Sequence, residues 1–429
     1  MLVEFSFSNF RSFKDEAIFS MEPDSQNGDS YNIIDTKLKR IPQLYRSSGI
    51  FGANASGKSN IVKAFDTFSH IVKNSSKSII DDEFPSEFYA LSKTFQNQPM
   101  NFGIKFIIQE TLYDYKFSLS RKIVEQESLY CYDISETGTN KPNRIFEREY
   151  IDGKSIFKKS TGILQSWCNE ILDNRLFLSD LVNNRKCEIK EIKETYNWIN
   201  QKLTLINTHK LNQFFSIKQI EKGEGRDIIE LIKKADLGLT DIAVREISID
   251  DMIEKIKNKK KNIFPRILET IIGSDENQVI ETLSFHKTED GDIKEFEFEN
   301  MESDGTKNFL SISGPIFDAI KGGKTLIVDE MDDSLHPYLV RYLVDMFNNP
   351  EINKNKAQLI FTSHAHYLMD GRYLTRDQIW LTTKDLNNGY SSSLYSLSDL
   401  KNKLNRKNIS FQEAYLDGIY GAVPNVEML

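Results

Sequence analysis

The chain has 429 residues, 39% hydrophobic and 28% charged, with a formal net charge of −8. These values fit a globular protein of one large domain or two to three smaller ones, and they argue against a uniformly basic nucleic-acid-binding surface, though not against a local basic patch. Cys131, Cys168 and Cys187 are widely spaced with no C-x-x-C pair, so no disulfide framework or zinc site is expected, and no apolar run has signal-peptide or membrane-spanning length. The expectation is a cytoplasmic protein with no membrane partner.

In chain order, "LVEFSFSNF" alternates apolar and polar residues and predicts a strand. Asn60–Val72 carries Ile61, Val62, Phe65, Phe68, Ile71 and Val72 at helical spacing, unbroken by Gly or Pro. "NFGIKFII", "LYDYKFSLS" and "SLYCYDIS" are rich in aromatic and β-branched residues and predict a meander of antiparallel strands. From about Leu164 to Lys234 the pattern turns helical. The lysine-rich "KIKNKKKN" (Lys255–Asn262) reads as a solvated loop, with nucleic-acid contact as the sharper alternative. Strands resume at "ETLSFHK" and "KEFEFEN", and a helix then runs to the Gly-Gly stop of "DAIKGG". "KTLIVDE" and "AQLIFTSH" are short apolar runs of the kind buried on both faces; between them "PYLVRYLVDMF" is an amphipathic helix with Pro337 in its first turn.

Gly52–Ser59, "GANASGKS", fits the phosphate-loop pattern G-x-x-x-x-G-K-S/T in full. Glycines in such a loop let backbone N–H groups turn toward phosphate oxygens, and the helix that follows presents its positive end. Lys58 would reach the β- and γ-phosphates of ATP and Ser59 would ligate Mg2+. Ala cannot take positive φ freely, so an ordinary backbone is expected at Ala55. "TLIVDE" ends in Asp329 and Glu330; alone it is a strand end with two solvated acids, but beside a phosphate loop Asp329 is expected to hold Mg2+ through water and Glu330 to polarise the attacking water. His364, just past the next buried strand, is a candidate donor to the γ-phosphate, and His366 a weaker one. In "ESDGT", Ser303 and Gly305 precede a helix expected to begin near Thr306; by itself this is only an N-cap.

This order of motifs resembles the ABC-type ATPase heads of the SMC and RecF-like group. "SNFRSF" (Ser8–Phe13) looks like that group's N-terminal segment, which makes Arg11 a candidate near the nucleotide. By the same match "ESDGT" stands for the ABC signature, with Ser303 as its serine and Gly305 as its glycine, while Asp304 and Thr306 depart from the usual residues. "DEMDDSLHP" resembles a Walker B strand end followed by a D-loop, with His336 where Asp is common, and His364 matches the switch histidine. A closer resemblance is to compact bacterial AAA-type ATP-binding proteins of RloA-like, abortive-infection and related phage-defence systems, supported by "LIKKADLGLTDIAV" and the "YLDGIYGAVP" ending.

The resemblance implies a P-loop NTPase α/β fold: a mixed-sheet ABC-type head with an antiparallel β subdomain and an inserted helical block. The expected domains are an N-terminal ATPase lobe (1–160), a mainly helical insertion (161–280) and a C-terminal lobe (281–429). The implied nucleotide contacts are Gly52, Asn54, Ala55, Ser56, Gly57, Lys58, Ser59, Asn60 and Arg11, joined by Ser303, Gly305 and Thr306 of the partner subunit. Glu330, Lys58 and His364 would be catalytic, and Ser59 and Asp329 would hold the metal. One phosphate loop and one signature per chain imply a head-to-tail homodimer or a higher assembly built from it. No nuclease domain follows His364 in this sequence, so a separate effector, a Toprim-type or other nuclease, is implied. The alternatives are a RecF-type repair ATPase that binds DNA directly and a self-contained ATP-regulated nuclease or toxin.

Overall fold

The alternation in "LVEFSFSNF" becomes the strand Leu2–Ser8, with its apolar side chains buried. The structure is a computed structural model and describes residues 1–24, 31–85, 87–135, 141–208, 211–235, 238–248, 278–385, 390–403 and 410–423; the lysine-rich segment Lys255–Asn262 lies outside the described residues. The chain divides into two compact units: Met1–Asn207 with Ala319–Asp333 and Val340–Leu429, and Thr208–Asp318 with Ser334–Leu339. Residues 161–207, expected to open the middle block, belong to the first unit.

Two large sheets and the short antiparallel pair Ile33–Asp35 and Gln43–Tyr45 build the first unit. Leu2–Ser8 lies between Ala17–Ser20 and Met100–Ile108, and Thr111–Leu119, Val124–Asp133, Pro142–Ile151 and Lys154–Lys159 continue a seven-stranded sheet that is antiparallel throughout. The central sheet has six strands in the order Leu203–Asn207, Thr325–Asp329, Gln358–Thr362, Ser47–Gly52, Ile379–Asp385 and Ser391–Ser396. The first five run parallel and only the last is antiparallel. Thr325–Asp329 is fully buried with a parallel neighbour on each side, which is why it reads as an unbroken apolar run.

The helix Lys58–Asn74 packs between the two sheets. Phe65 stacks on Phe5 with ring centroids 3.8 Å apart, and Phe68 on Phe117 at 5.4 Å, while the helix also touches Ser47–Gly52 and Thr325–Asp329. Truncating a phenylalanine buried in this way costs about 3–5 kcal/mol, so the sequence spacing that aims Phe65 and Phe68 inward also anchors the phosphate loop. A buried ionic group braces the same unit. Glu127 accepts N–H bonds from Phe177 (2.6 Å) and Leu178 (2.9 Å), and the fully buried Arg148 donates to the carbonyls of Arg175 (2.7 Å) and Leu172 (3.3 Å). Burial raises the Glu127 carboxyl and the Arg148 guanidinium opposes that rise.

Two elements differ from the sequence reading. Inside the stretch read as helical, Leu203–Asn207 is a strand that pairs in parallel with Thr325–Asp329. In "KEFEFEN" the strand stops at Glu297, and Phe298–Met301 is a short helix.

The second unit holds an antiparallel sheet of Asp241–Ser248, Gln278–Lys287 and Ile293–Glu297, the helices Phe214–Glu221 and Arg226–Lys234, and the start of the helix Asp304–Gly322. Pro315 lies inside that last helix, where it removes one N–H donor and crowds the carbonyl four residues back. The buried Ser216 hydroxyl compensates: it reaches the Leu310 and Ser311 carbonyls at 2.6 and 3.3 Å and accepts the Gly314 N–H at 3.0 Å. Gly314 permits the approach, since a Cβ there would stand 2.5 Å from that hydroxyl oxygen. Cys131, Cys168 and Cys187 are free and buried. No helix among the described residues is long and apolar enough to cross a membrane.

Candidate nucleotide-binding site

The strand Ser47–Gly52 delivers the phosphate loop to the C-terminal edge of the central sheet, where α/β sheets bind ligands. Gly52 and Gly57 take φ of 153° and 119°. A Cβ on Gly57 would stand 2.7 Å from the Ser392 hydroxyl and 3.1 Å from the Phe13 ring, so the loop is pressed against the N-terminal segment and the last hairpin of the sheet. Ala55 does not have the ordinary backbone expected of it: its φ is 60°. The turn demands a left-handed residue, and the exposed methyl meets that demand at a cost of roughly 1–2 kcal/mol. Asn54 is exposed beside it, and Ser56 is buried, its hydroxyl 2.5 Å from that of Thr382.

The Lys58 ammonium is buried and donates to the carbonyls of Gly52 (2.8 Å) and Ala53 (3.1 Å). Burial lowers its pKa to about 8, against the pull of Glu330, Asp332 and Asp329. Ser59 follows in the first helical turn, half-buried, where backbone N–H groups have no intrahelical acceptor.

One strand, Gln358–Thr362, separates the loop strand from Thr325–Asp329, and His364 follows it. The topology therefore brings the switch candidate out between phosphate loop and acids. Asp329 is buried; its Oδ1 accepts the Thr362 hydroxyl at 2.7 Å and its Oδ2 the Asn207 amide at 3.1 Å. Glu330 is left-handed (φ 57°), and its N–H donates to the Thr362 hydroxyl at 2.8 Å. The His364 N–H donates to the Asp332 carboxylate at 3.2 Å. The His364 side chain is exposed, yet local desolvation and the Lys58 ammonium push its imidazole below its ordinary pKa, opposed by Asp332 and Glu330, which favours the neutral form. His366 is half-buried, and its N–H donates to the His364 carbonyl at 2.9 Å.

Arg11, also left-handed (φ 50°), donates from Nε to Asn60 Oδ1 at 2.8 Å and forms an ion pair with Glu87. Asn60 in turn donates to the Ser12 hydroxyl at 2.7 Å, which lies 2.8 Å from that of Ser392. The N-terminal segment is thereby fastened to the first turn of the phosphate-loop helix.

In the second unit, the signature candidate caps the helix Asp304–Gly322, which begins two residues before the expected start. The Ser303 hydroxyl accepts the Thr306 N–H at 3.2 Å and lies 3.0 Å from the Thr306 hydroxyl. Gly305 is close to the D-loop candidate, since a Cβ there would stand 3.1 Å from the Ser334 carbonyl.

A phosphate loop, a mostly parallel sheet and an acid-tipped strand one place removed from the loop strand make this a P-loop NTPase fold. The model of one family, described as "AAA domain, putative AbiEii toxin, Type IV TA system", matches residues 47–370. The chain belongs to this AAA family. No curated protein matches the AAA-family chain. Membership supports a nucleotide-hydrolysing P-loop ATPase and implies nucleotide and, typically, Mg2+. The residues fit both. A buried ammonium, a helix N-terminus and two loop glycines with no room for a Cβ suit phosphate, and the oxygen donors Ser59 and Asp329 suit a hard cation. Sequence reading of this AAA ATPase missed Asn207, Asp332, Thr362, Thr382 and Ser392. Thr362 and Asp332 sit inside quoted motifs, whereas the other three become neighbours only through the tertiary fold.

Proposed function

We propose that the chain is an ABC-type ATPase whose complete site is shared by two copies, and that its ATP cycle controls a separate effector, a Toprim-type or other nuclease, in bacterial anti-phage defence. The convergence of Lys58, Asp329, Glu330 and His364 at one edge of the central sheet carries the hydrolytic half of this reading. Lys58 leaves its two loop carbonyls for the β- and γ-phosphates, and the loop amides grip the same oxygens. Glu330 orients the attacking water and takes its proton. Neutral His364 donates to the γ-phosphate, and Arg11 reaches the nucleotide from Asn60. Mg2+, held by Ser59 and through water by Asp329, would neutralise charge on the β- and γ-phosphates.

Ser303 supports the trans half, standing at the N-terminus of a 19-residue helix, a place suited to an anion. With one phosphate loop and one signature per chain, each site is completed by Ser303, Gly305 and Thr306 of the partner subunit across a two-fold axis. The test is light scattering of Ser303→Arg with Mg-ATP, in a Glu330→Gln background that blocks turnover. Nucleotide binding to a monomer should persist while ATP-dependent dimerisation disappears. A variant that still dimerises refutes the shared site.

The family description names a toxin, which favours a second reading in which this chain is itself the toxic component. Growth arrest by the chain expressed alone, abolished by Lys58→Ala, would select that reading. Arrest only alongside a co-expressed neighbouring gene selects the effector model.

A further inference from the structure

Thr362 is fully buried at the end of the strand between the phosphate loop and Asp329, and the roles assigned above do not use it. A hydroxyl has one proton to give and lone pairs to receive. Here the proton goes to Asp329 Oδ1 at 2.7 Å, and a lone pair takes the Glu330 N–H at 2.8 Å. The Thr362 carbonyl accepts the Met331 N–H at 3.0 Å, and two residues on, the His364 N–H is bound to Asp332 at 3.2 Å. The segments 329–332 and 362–364 are therefore laced at four successive positions. On the other side of the carboxylate the Asn207 amide donates to Oδ2 at 3.1 Å, from the residue directly paired with Asp329 in the sheet. Each oxygen of Asp329 thus has a separate protein donor, and Glu330 is held at positive φ, where a Cβ-bearing residue stays only if its surroundings enforce it.

We infer that Thr362 is a positioning residue for ATP hydrolysis: with Asn207 it fixes the plane of the metal-holding Asp329 carboxylate, and through its bond to the Glu330 N–H it ties the catalytic glutamate and the His364 segment into one rigid body. The inference rests on the hydrolytic reading above. A hydroxyl is required at this place, and the γ-methyl of threonine serves only packing. Valine keeps the shape but removes both bonds, whereas serine keeps both bonds but removes the methyl. Outer groups that orient a metal ligand typically account for about 10–100-fold in metal affinity or activity.

The experiment uses the full chain and two readouts. One is the Mg2+ concentration that half-saturates fluorescent N-methylanthraniloyl-ATP binding; the other is kcat and KM for ATP. Thr362→Val should raise the half-saturating Mg2+ and lower kcat, each about tenfold or more, with KM changed less than about twofold. Thr362→Ser should restore both readouts to within about twofold of wild type, which a merely structural role for the methyl would not allow. Should Thr362→Val fail to fold, Asn207→Ala tests the other carboxylate oxygen and should also raise the Mg2+ requirement. Wild-type Mg2+ dependence and kcat in Thr362→Val, or failure of Thr362→Ser to rescue a folded Thr362→Val, overturns the inference. A wild-type chain that neither binds nor hydrolyses ATP overturns the hydrolytic reading itself, so the two failures are distinguishable.

Discussion

Replacing Ala55 by Gly and by Val measures what the left-handed turn of the phosphate loop costs. Ala55 has φ 60° and an exposed side chain, so substitutions there alter backbone preference and little packing. A residue with a Cβ costs roughly 1–2 kcal/mol in this region, whereas Gly occupies it freely. Gly also widens the unfolded ensemble, which offsets about 0.4–1 kcal/mol of that gain. Ala55→Gly is therefore expected to stay within about 1 kcal/mol of wild type in stability and to bind nucleotide at least as well. A β-branched residue at positive φ is a genuine outlier. If Val adds about 1–2 kcal/mol to holding the loop in its phosphate-binding shape, nucleotide affinity falls roughly 5–30-fold. Fluorescence titration with N-methylanthraniloyl-ATP at fixed Mg2+ reads this change, with a far-UV thermal melt to verify folding. A Val variant that binds like wild type, or a Gly variant about tenfold weaker, would show that the turn at Ala55 is not what binding requires.

Glu330→Gln should lower kcat by about a hundredfold or more while nucleotide binding persists; undiminished turnover would place the base elsewhere. Lys58 has a folded pKa of about 8, below the ordinary 10.5, so the unfolded chain binds its proton more tightly. Ligand-free stability should then rise with pH across that interval, and Lys58→Met should lose the rise in a denaturation series from pH 7.5 to about 10. With His364 held below its ordinary range in the nucleotide-free chain, the acid limb of the kcat/KM profile should lie below 6.5; a limb above 6.5 that vanishes in His364→Gln would contradict the assignment. Gly314→Ala would set a Cβ 2.9 Å from the Ser216 backbone. An overpacking cost of about 1–3 kcal/mol should match or exceed the helix-propensity gain of about 1 kcal/mol, so the melting temperature should not rise.

What the sequence disclosed was local. The loop pattern, the apolar run of Thr325–Asp329 and the spacing of Phe65 and Phe68 are each contained within a short window, and each element lies where its periodicity places it. Leu203–Asn207 was hidden because five residues after a helix carry no period of their own, and only the parallel partner makes them a strand. Asn207 meets Asp329 across a strand pair, and Thr382, paired with Gly52, meets Ser56 of the loop beyond it, relations invisible along the chain. Ala55 misled for a different reason. Propensity states what a residue prefers, while a loop flanked by two glycines at positive φ imposes what it needs. Pro315 lies in a helix for a similar reason, since Ser216, about 100 residues earlier, supplies the bond it lacks.

The strand order of the central sheet also governs when this site comes into existence during synthesis. The phosphate-loop strand emerges early, but both of its sheet neighbours, Gln358–Thr362 and Ile379–Asp385, lie about 300 residues later. A nascent chain therefore carries the complete phosphate-loop motif long before any parallel partner exists to shape it. Pairings of such high contact order form slowly and leave apolar strands exposed to aggregation in the meantime. Nucleotide binding should accordingly appear as a late step in maturation. Fragments ending before the strand Ile379–Asp385 should fail to retain nucleotide even though every residue of "GANASGKS" is present.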